Sequence, residues 1–207
     1  MLAGGAFLFG CGGNEDDNNA AIATGLYSGT VERSDSDMRA VIQKLLSFNN
    51  PPLETVSLQV ARTLPSVADA VRGVLTDRGQ SVTPEPVASV VNRTVPGPAS
   101  NLAVRVYTPS GTGPFPVTVY FHGGGWVIAT IDTYDSSCRA LCNAAKTVVV
   151  SVEYCKGLEN RFPAAHEDAY AATQYVINNA AEFGGVASKV AVAGERKPRH
   201  RGLCSCP

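Results

Sequence analysis

The sequence lacks three features, each of which would have pointed to a class of protein. Its formal net charge is only −1 over 207 residues, so no general attraction to nucleic acid or to an anionic membrane is expected. No apolar run is long enough to cross a bilayer. The six cysteines follow no spacing typical of a disulfide framework. What remains, with 44% hydrophobic and 17% charged residues, is the composition of an ordinary globular domain with a core.

The cysteines also give no sign of a metal site. Cys138 and Cys142 stand four residues apart in a predicted helix, where a disulfide would be strained and two ligands would lack partners. Core packing is the better interpretation for both. Cys204 and Cys206 form a single CxC pair without a second pair, which is weak support for metal binding. We therefore expect neither a metal nor a cofactor.

The first 35 residues are interpreted as a signal-like start and a linker. Residues 1–10 are uncharged and mostly small or apolar, and a polar segment follows Cys11. A small residue and a cysteine after an apolar segment resemble a bacterial lipoprotein signal, although the usual positive start is absent. This interpretation predicts a lipid anchor at Cys11 and a place in the cell envelope. The alternative is a disordered N-terminus with an unmodified cysteine, which leaves a cytoplasmic location open.

Apolar residues spaced three and four apart predict helices between residues 36 and 80. Ser36 and Asp37 can cap the first helix, and two further helical stretches are expected at about 53–63 and 66–77. Gly79 is a plausible residue for ending the last of them.

From residue 87 the pattern changes to that of strands separated by helices. The continuous apolar run at 117–121 is typical of a strand buried on both faces. Strands are predicted at 87–95, 102–107, 117–121, 147–154 and 189–193, and helices at about 132–145 and 164–182. Alternation of strand and helix predicts an α/β fold with about five strands in one sheet and right-handed crossovers.

Four landmarks follow one another in order along the chain. They are Phe121-His122-Gly123-Gly124-Gly125-Trp126, then Glu153-Tyr154 with Glu159-Asn160-Arg161-Phe162-Pro163-Ala164-Ala165, then Asp168-Ala169-Tyr170, and finally Val190-Ala191-Val192-Ala193-Gly194. Together they resemble one family, the hormone-sensitive-lipase-like branch of the α/β-hydrolases. The resemblance spans residues 36–194. It implies the N-terminal part of an α/β-hydrolase sheet over residues 87–194, with a helical lid over residues 36–80.

The resemblance also implies hydrolysis of a small-molecule carboxylic ester. By the family pattern, the N–H groups of Gly124 and Gly125 form the oxyanion hole, while Gly123 and His122 support the loop and Trp126 packs behind it. The alternative for the glycine run alone is a flexible turn after a strand. His166 is interpreted as a surface residue, and Asp168 as a structural hydrogen-bonding carboxylate, because the family places no catalytic group at either position.

The pattern breaks at the nucleophile. The family motif Gly-x-Ser-x-Gly requires serine at the position of Arg196 and glycine at that of Pro198. A guanidinium stays protonated and cannot attack an ester. The family acid and histidine come after the nucleophile, and the sequence contains no such segment, so we expect a truncated copy that is inactive as written. Residues 195–207 are interpreted as an aberrant basic tail of the kind that a reading-frame slip produces.

Two further points stay open on the sequence alone. In place of the family's Arg-Leu-Ala-Pro, the chain has Cys155-Lys156-Gly157-Leu158, which reflects either ordinary divergence or relaxation after loss of function. The functional alternative to an esterase is a non-catalytic ligand-binding protein or a non-functional hydrolase fragment, with or without a lipid anchor.

Overall fold

The computed structural model describes residues 34–157 and 159–195. These residues belong to two compact units, divided between Thr83 and Pro84. Three positions lie outside the described residues: Cys11, where a lipid anchor is predicted, Arg196, where the family motif has its nucleophile, and the CxC pair of the tail. None of the described helices has both the length and the apolar character that a membrane span requires.

The first unit is helical. It contains α1 (Ser36–Ser47), a 3₁₀ turn (Leu53–Thr55), α2 (Leu58–Ala61) and α3 (Val67–Asp77). Helices α1 and α3 pack against each other and bury Ile42 and Ala70. Lys44 on α1 pairs with Asp77 on α3 at 2.8 Å.

Helix ends in this unit differ in part from the prediction. The side chain that caps α1 belongs to Asp35, which accepts from the Met38 N–H at 2.8 Å, and not to Ser36 or Asp37. The single helix expected at 53–63 is interrupted, because Val56 is extended and Ser57 caps a new short helix. The predicted start of α3 is confirmed, with Ser66 and Asp69 forming a capping box.

The second unit contains one five-stranded sheet, as predicted. Its strands are β1 (Ser89–Val95), β2 (Leu102–Thr108), β3 (Phe115–Phe121), β4 (Val148–Glu153) and β5 (Gly185–Gly194). Their order across the sheet is β1-β2-β4-β3-β5. Strands β1 and β2 run antiparallel to their neighbours, whereas β3, β4 and β5 are parallel to one another. Helix α4 (Asp135–Ala145) joins β3 to β4, and α5 (Ala164–Asn178) joins β4 to β5.

Helices cover both faces of the sheet because β4 is apolar on both sides. Val148, Val150 and Val152 join a cluster that includes α5, whereas Val149 joins a cluster on the other face that includes α4. Cys138 and Cys142 of α4 are buried in that second cluster and are unpaired, which confirms their interpretation as core residues. Alternate side chains of a strand point to opposite faces, so one short run of valines supplies both layers.

The end of the α5 connection differs from the prediction. The expected helix at 164–182 stops at Asn178 and continues as a 3₁₀ turn (Ala180–Phe183), which ends at Gly184 with φ of +73°. Strand β5 then begins at Gly185 instead of near Lys189, because Gly185 pairs with Phe115 at the start of β3. Within the described residues, β5 pairs with β3 alone.

Two valine truncations in the same sheet test this account of the core. Val150 is fully buried, whereas Val192 on β5 is 59% exposed. We expect Val150→Ala to lower the free energy of unfolding by about 2 kcal/mol, since it leaves a cavity. Val192→Ala removes the same atoms and should change stability by less than about 0.5 kcal/mol. Urea unfolding followed by circular dichroism measures both, and equal losses would contradict the layering.

Candidate functional site

The candidate site lies where the three parallel strands end. Residues 122–134, here called the glycine loop, follow β3, and the chain after β4 and after β5 emerges at the same edge of the sheet. In open α/β sheets this carboxyl edge is where ligands bind. The register pairs Phe121 at the end of β3 with Val152 of β4 and with Gly194 of β5.

The start of the glycine loop needs glycine for steric reasons. Gly124 has φ of +115° and Gly125 has φ of +61°, in the region that side chains disfavour. A Cβ on Gly124 would lie 2.1 Å from the carbonyl oxygen of Ile128. That close approach exists because the Gly124 carbonyl accepts from the N–H groups of Val127 and Ile128, at 3.1 and 3.0 Å.

These two hydrogen bonds set the direction of an amide. The Gly124 carbonyl and the Gly125 N–H belong to one planar trans peptide, in which they point in opposite directions. Fixing the carbonyl toward the loop interior therefore turns the Gly125 N–H outward. Among the described residues, no group accepts a hydrogen bond from the N–H of Gly124 or of Gly125. Two adjacent free N–H groups of this kind can bind an oxyanion.

Gly123 has a different place in the loop. Its backbone faces the Tyr134 hydroxyl group, and a Cβ at this position would lie 2.7 Å from that oxygen. The Tyr134 hydroxyl in turn donates to Glu195 Oε2 at 2.7 Å. The residue immediately after β5 is thereby joined to the loop after β3. Burial, followed by the bond to Glu195, raises the pKa of Tyr134 well above its usual value, so its hydroxyl keeps its proton.

His122 is enclosed and has little capacity to act on a substrate. Only 2% of it is exposed, and its ring stacks on Tyr154 with centroids 4.4 Å apart. Nδ1 lies 2.8 Å from the Gly123 carbonyl oxygen, which can only accept, so Nδ1 is the donor in this contact. The Tyr154 hydroxyl donates to the His122 carbonyl at 2.6 Å. This side chain fills the space under the loop.

Trp126 does not lie where the sequence predicted. The expectation that it packs behind the loop is wrong, because the rings of Tyr134 and Tyr154 already stack on His122 there. Trp126 has φ of +60° and is 50% exposed, and its ring centroid is 5.5 Å from that of His166. The indole therefore faces outward beside an exposed imidazole.

His166 and Asp168 agree with their sequence interpretation. His166 is exposed on α5, whereas Asp168 is buried and accepts from the Cys155 N–H at 2.8 Å. A side-chain hydrogen bond with Asp168, together with partial burial, raises the pKa of Cys155 to about 11. Cys155 is therefore a protonated thiol at neutral pH and is not poised as a nucleophile. Among the described residues, no group of three His, Cys, Asp or Glu side chains is placed to hold a metal ion.

Two charged side chains support the glycine loop, the Glu153 carboxylate and the Lys156 ammonium group. The sequence analysis predicted neither role. Glu153 Oε2 accepts from the Ile131 N–H at 2.8 Å, and its other oxygen is paired with Lys156 Nζ. Lys156 also donates to the Ala129 carbonyl at 2.9 Å. In the sequence, the departure of residues 155–158 from the family pattern drew attention to this segment. It did not indicate which residues of the loop the segment contacts.

The charge of Glu153 is held by these neighbours. Burial alone would raise its pKa, but the facing His122 ring, Lys156 and the Ile131 N–H outweigh burial and lower the pKa of Glu153 from 4.5 to about 2. His122 Nε2 lies 3.7 Å from Glu153 Oε1 and has no hydrogen-bond partner among the described residues. Glu153 is therefore a carboxylate throughout the ordinary pH range.

Comparison with known proteins agrees with this geometry. Residues 118–196 match the model of a family described as having the alpha/beta hydrolase fold. The chain is 38% identical over 155 residues to Esterase LipI and 42% identical over 113 residues to Carboxylic ester hydrolase LipN, both of Mycobacterium tuberculosis. These alignments cover 70% and 54% of this chain, but only 48% and 30% of the relatives.

A solved structure gives the same result. The chain resembles the hyperthermophilic esterase from the archaeon Pyrobaculum calidifontis, with a TM-score of 0.64 and 33% identity, over 78% of this chain and 49% of that one. The chain thus spans about half the length of the relatives it matches, or less.

The strand order, the loop after β3 and these matches define the class of protein, which is an α/β-hydrolase. The landmarks of the chain resemble those of the hormone-sensitive-lipase-like branch, and the relatives that it matches carry the names of carboxylic ester hydrolases and esterases.

The pH dependence of stability tests the environment of Glu153. Because its folded-state pKa lies below 4.5, the carboxylate stabilises the folded chain above pH 4.5, and this contribution is lost as the pH falls toward about 2. A shift of this size corresponds to at most roughly 3 kcal/mol. We expect the difference in unfolding free energy between the wild type and Glu153→Gln to shrink over that window.

Urea unfolding at a series of pH values between neutral and 2 measures this difference. Exposed Glu167→Gln on α5 is the control for removal of one negative charge. A Glu153→Gln profile that runs parallel to the wild-type profile at every pH would show that the carboxylate is not specially stabilised.

Proposed function

We propose that this chain carries the oxyanion hole of a hydrolase that acts on small-molecule carboxylic esters. The observation that carries the proposal is the adjacent pair of free N–H groups on Gly124 and Gly125, at the carboxyl edge of the sheet. Ester hydrolysis passes through a tetrahedral oxyanion, and each N–H donor aimed at that charge lowers the barrier by about 3 kcal/mol. The printed names of the relatives, which are those of esterases, support the same substrate class.

His122 and Gly123 have a supporting role in this proposal. The buried His122 ring braces the loop from below, and the Gly123 backbone fixes its edge through Tyr134. The helices within residues 36–80 would form a lid for the substrate, an assignment that rests on the family resemblance. The lipid anchor at Cys11 stays a prediction from sequence.

The proposal includes a statement about the chain as written. Arg196 occupies the position of the nucleophilic serine, and its guanidinium cannot form an acyl intermediate. Loss of the nucleophile alone lowers turnover in serine hydrolases about a million-fold. The 207-residue chain is therefore proposed to bind an ester or carboxylate oxygen at Gly124 and Gly125 without hydrolysing it, which is the chemistry of the non-catalytic ligand-binding alternative.

A fusion protein tests the catalytic half of the proposal. Residues 1–195, which end in Gly194-Glu195, are joined to the part of the Pyrobaculum calidifontis esterase that begins at the serine of its nucleophile elbow, Gly-x-Ser-x-Gly. We expect the fusion to hydrolyse p-nitrophenyl acetate and the 207-residue chain not to, because only the fusion combines the free N–H pair with a serine.

The matched control is the same fusion with its elbow serine changed to alanine. Circular dichroism establishes that both fusions fold. A folded fusion no faster than its alanine control would refute the oxyanion-hole assignment. Hydrolysis by the 207-residue chain at the rate of the fusion would refute the assignment of Arg196.

A further inference from the structure

The segment that follows β4 holds the glycine loop at four points. Residues 153–157, here called the clasp, supply all four partners. The contacts, donor first, are Tyr154 Oη to the His122 carbonyl at 2.6 Å, Gly157 N to the Trp126 carbonyl at 2.6 Å, Lys156 Nζ to the Ala129 carbonyl at 2.9 Å, and Ile131 N to Glu153 Oε2 at 2.8 Å. Four of these five residues thus contact the loop at positions spread between His122 and Ile131.

Two of these contacts hold strained residues. Trp126 and Ala129 have φ of +60° and +68°, a left-handed conformation that residues with a Cβ disfavour. Such a conformation persists only where the surroundings enforce it. The clasp holds the carbonyl of each of them, that of Trp126 through Gly157 N and that of Ala129 through Lys156 Nζ.

The contact at Ala129 bears directly on the free N–H pair. Ala129 follows Ile128, whose N–H is one of the two donors to the Gly124 carbonyl. That carbonyl shares its peptide plane with the Gly125 N–H. Release of Ala129 to negative φ would turn the peptide before it and weaken the Ile128 bond, so the Gly125 N–H would lose its fixed direction.

Lys156 also neutralises the negative charge of the clasp, which is that of the Glu153 carboxylate. Its ammonium is paired with Glu153, whose second oxygen holds Ile131, and the two side chains are only 20% and 23% exposed. The charged or titratable groups that face Glu153 among the described residues are Lys156, His122 and the adjacent Tyr154. An apolar side chain at position 156 would leave this shielded carboxylate without its ammonium partner, which is costly in a site with little water.

We propose that Lys156 is a positioning residue for the oxyanion hole, which acts by holding the strained Ala129 carbonyl and the Glu153 carboxylate together. The inference rests on the proposed function, and it deepens it. The family pattern has leucine at this position, so the lysine is a feature of this chain. Lysine in place of leucine adds a contact that supports the loop, and it is not a sign that the site has decayed.

The chain contains its own reporter for this proposal. Trp126 is the one tryptophan in the 207 residues and lies inside the glycine loop, half exposed. In the full-length chain, we expect Lys156→Met to shift the emission maximum of Trp126 and to change its quenching by acrylamide. Lys156→Arg keeps the charge and the donor, and we expect it to retain emission close to that of the wild type.

The matched control is Lys189→Met, which removes an exposed lysine from β5 of the same unit. It should leave Trp126 emission unchanged. Wild-type emission and quenching in Lys156→Met would overturn the proposal. So would a folded Lys156→Arg whose emission is displaced from that of the wild type, and this arm decides the matter if Lys156→Met does not fold.

A kinetic arm in the esterase fusion separates this inference from the proposed function. There, Lys156→Met should lower kcat about tenfold or more with little change in KM, since the N–H donors act mainly in the transition state. Equal kcat values in the fusion with Lys156 and the fusion with Lys156→Met would overturn the positioning role. A fusion that is inactive even with Lys156, combined with the fluorescence change, would refute the proposed function and leave the hold of Lys156 on the loop standing.

Discussion

The pair of hydrogen bonds accepted by the Gly124 carbonyl is the constraint on which the rest of the site depends. It forces a turn so tight that a Cβ on Gly124 would meet the Ile128 oxygen at 2.1 Å. It also leaves the N–H groups of Gly124 and Gly125 free among the described residues. The turn needs left-handed conformations at Trp126 and Ala129, and those in turn need the clasp. The free N–H groups thus depend on a series of contacts that begins at the end of β4.

The sheet provides the rigidity that these supports require. Strand β4 is buried on both faces and lies between β2 and β3, and its last residue, Glu153, is the first residue of the clasp. The glycine loop leaves from the adjacent β3. The glycine loop and the clasp follow two strands that are paired with each other. Both segments are therefore anchored in the same sheet. Sites supported by strands in this way keep their geometry better than sites held by loops alone.

Much of the fold followed from the sequence because its signals are local. The valine run of β4, the capping residue Ser66 and the landmark around residues 121–126 each specify structure through neighbouring residues. The errors have long-range causes. Strand β5 begins early because Gly185 pairs with Phe115, and Trp126 turns outward because Tyr154, which follows the next strand, stacks on His122 behind the loop.

The candidate site shows the same division. The glycines could be assigned from their motif, whereas Glu153 and Lys156 could not, because their partners Ile131 and Ala129 become neighbours only once the sheet has formed. On the sequence alone, the lysine at position 156 reflects either ordinary divergence or relaxation after loss of function. In the structure, its side chain contacts the glycine loop. Departures from a family motif are therefore informative only after their partners are known.

The most direct test of the central claim is an NMR titration of the glycine-labelled 207-residue chain with acetate as a probe for the oxyanion. The account predicts concentration-dependent downfield shifts of the Gly124 and Gly125 amide protons, while the Gly123 amide, which faces the Tyr134 hydroxyl group, changes little. Amides of Gly124 and Gly125 that do not respond, or that respond no more than glycines elsewhere in the sheet unit, would contradict it.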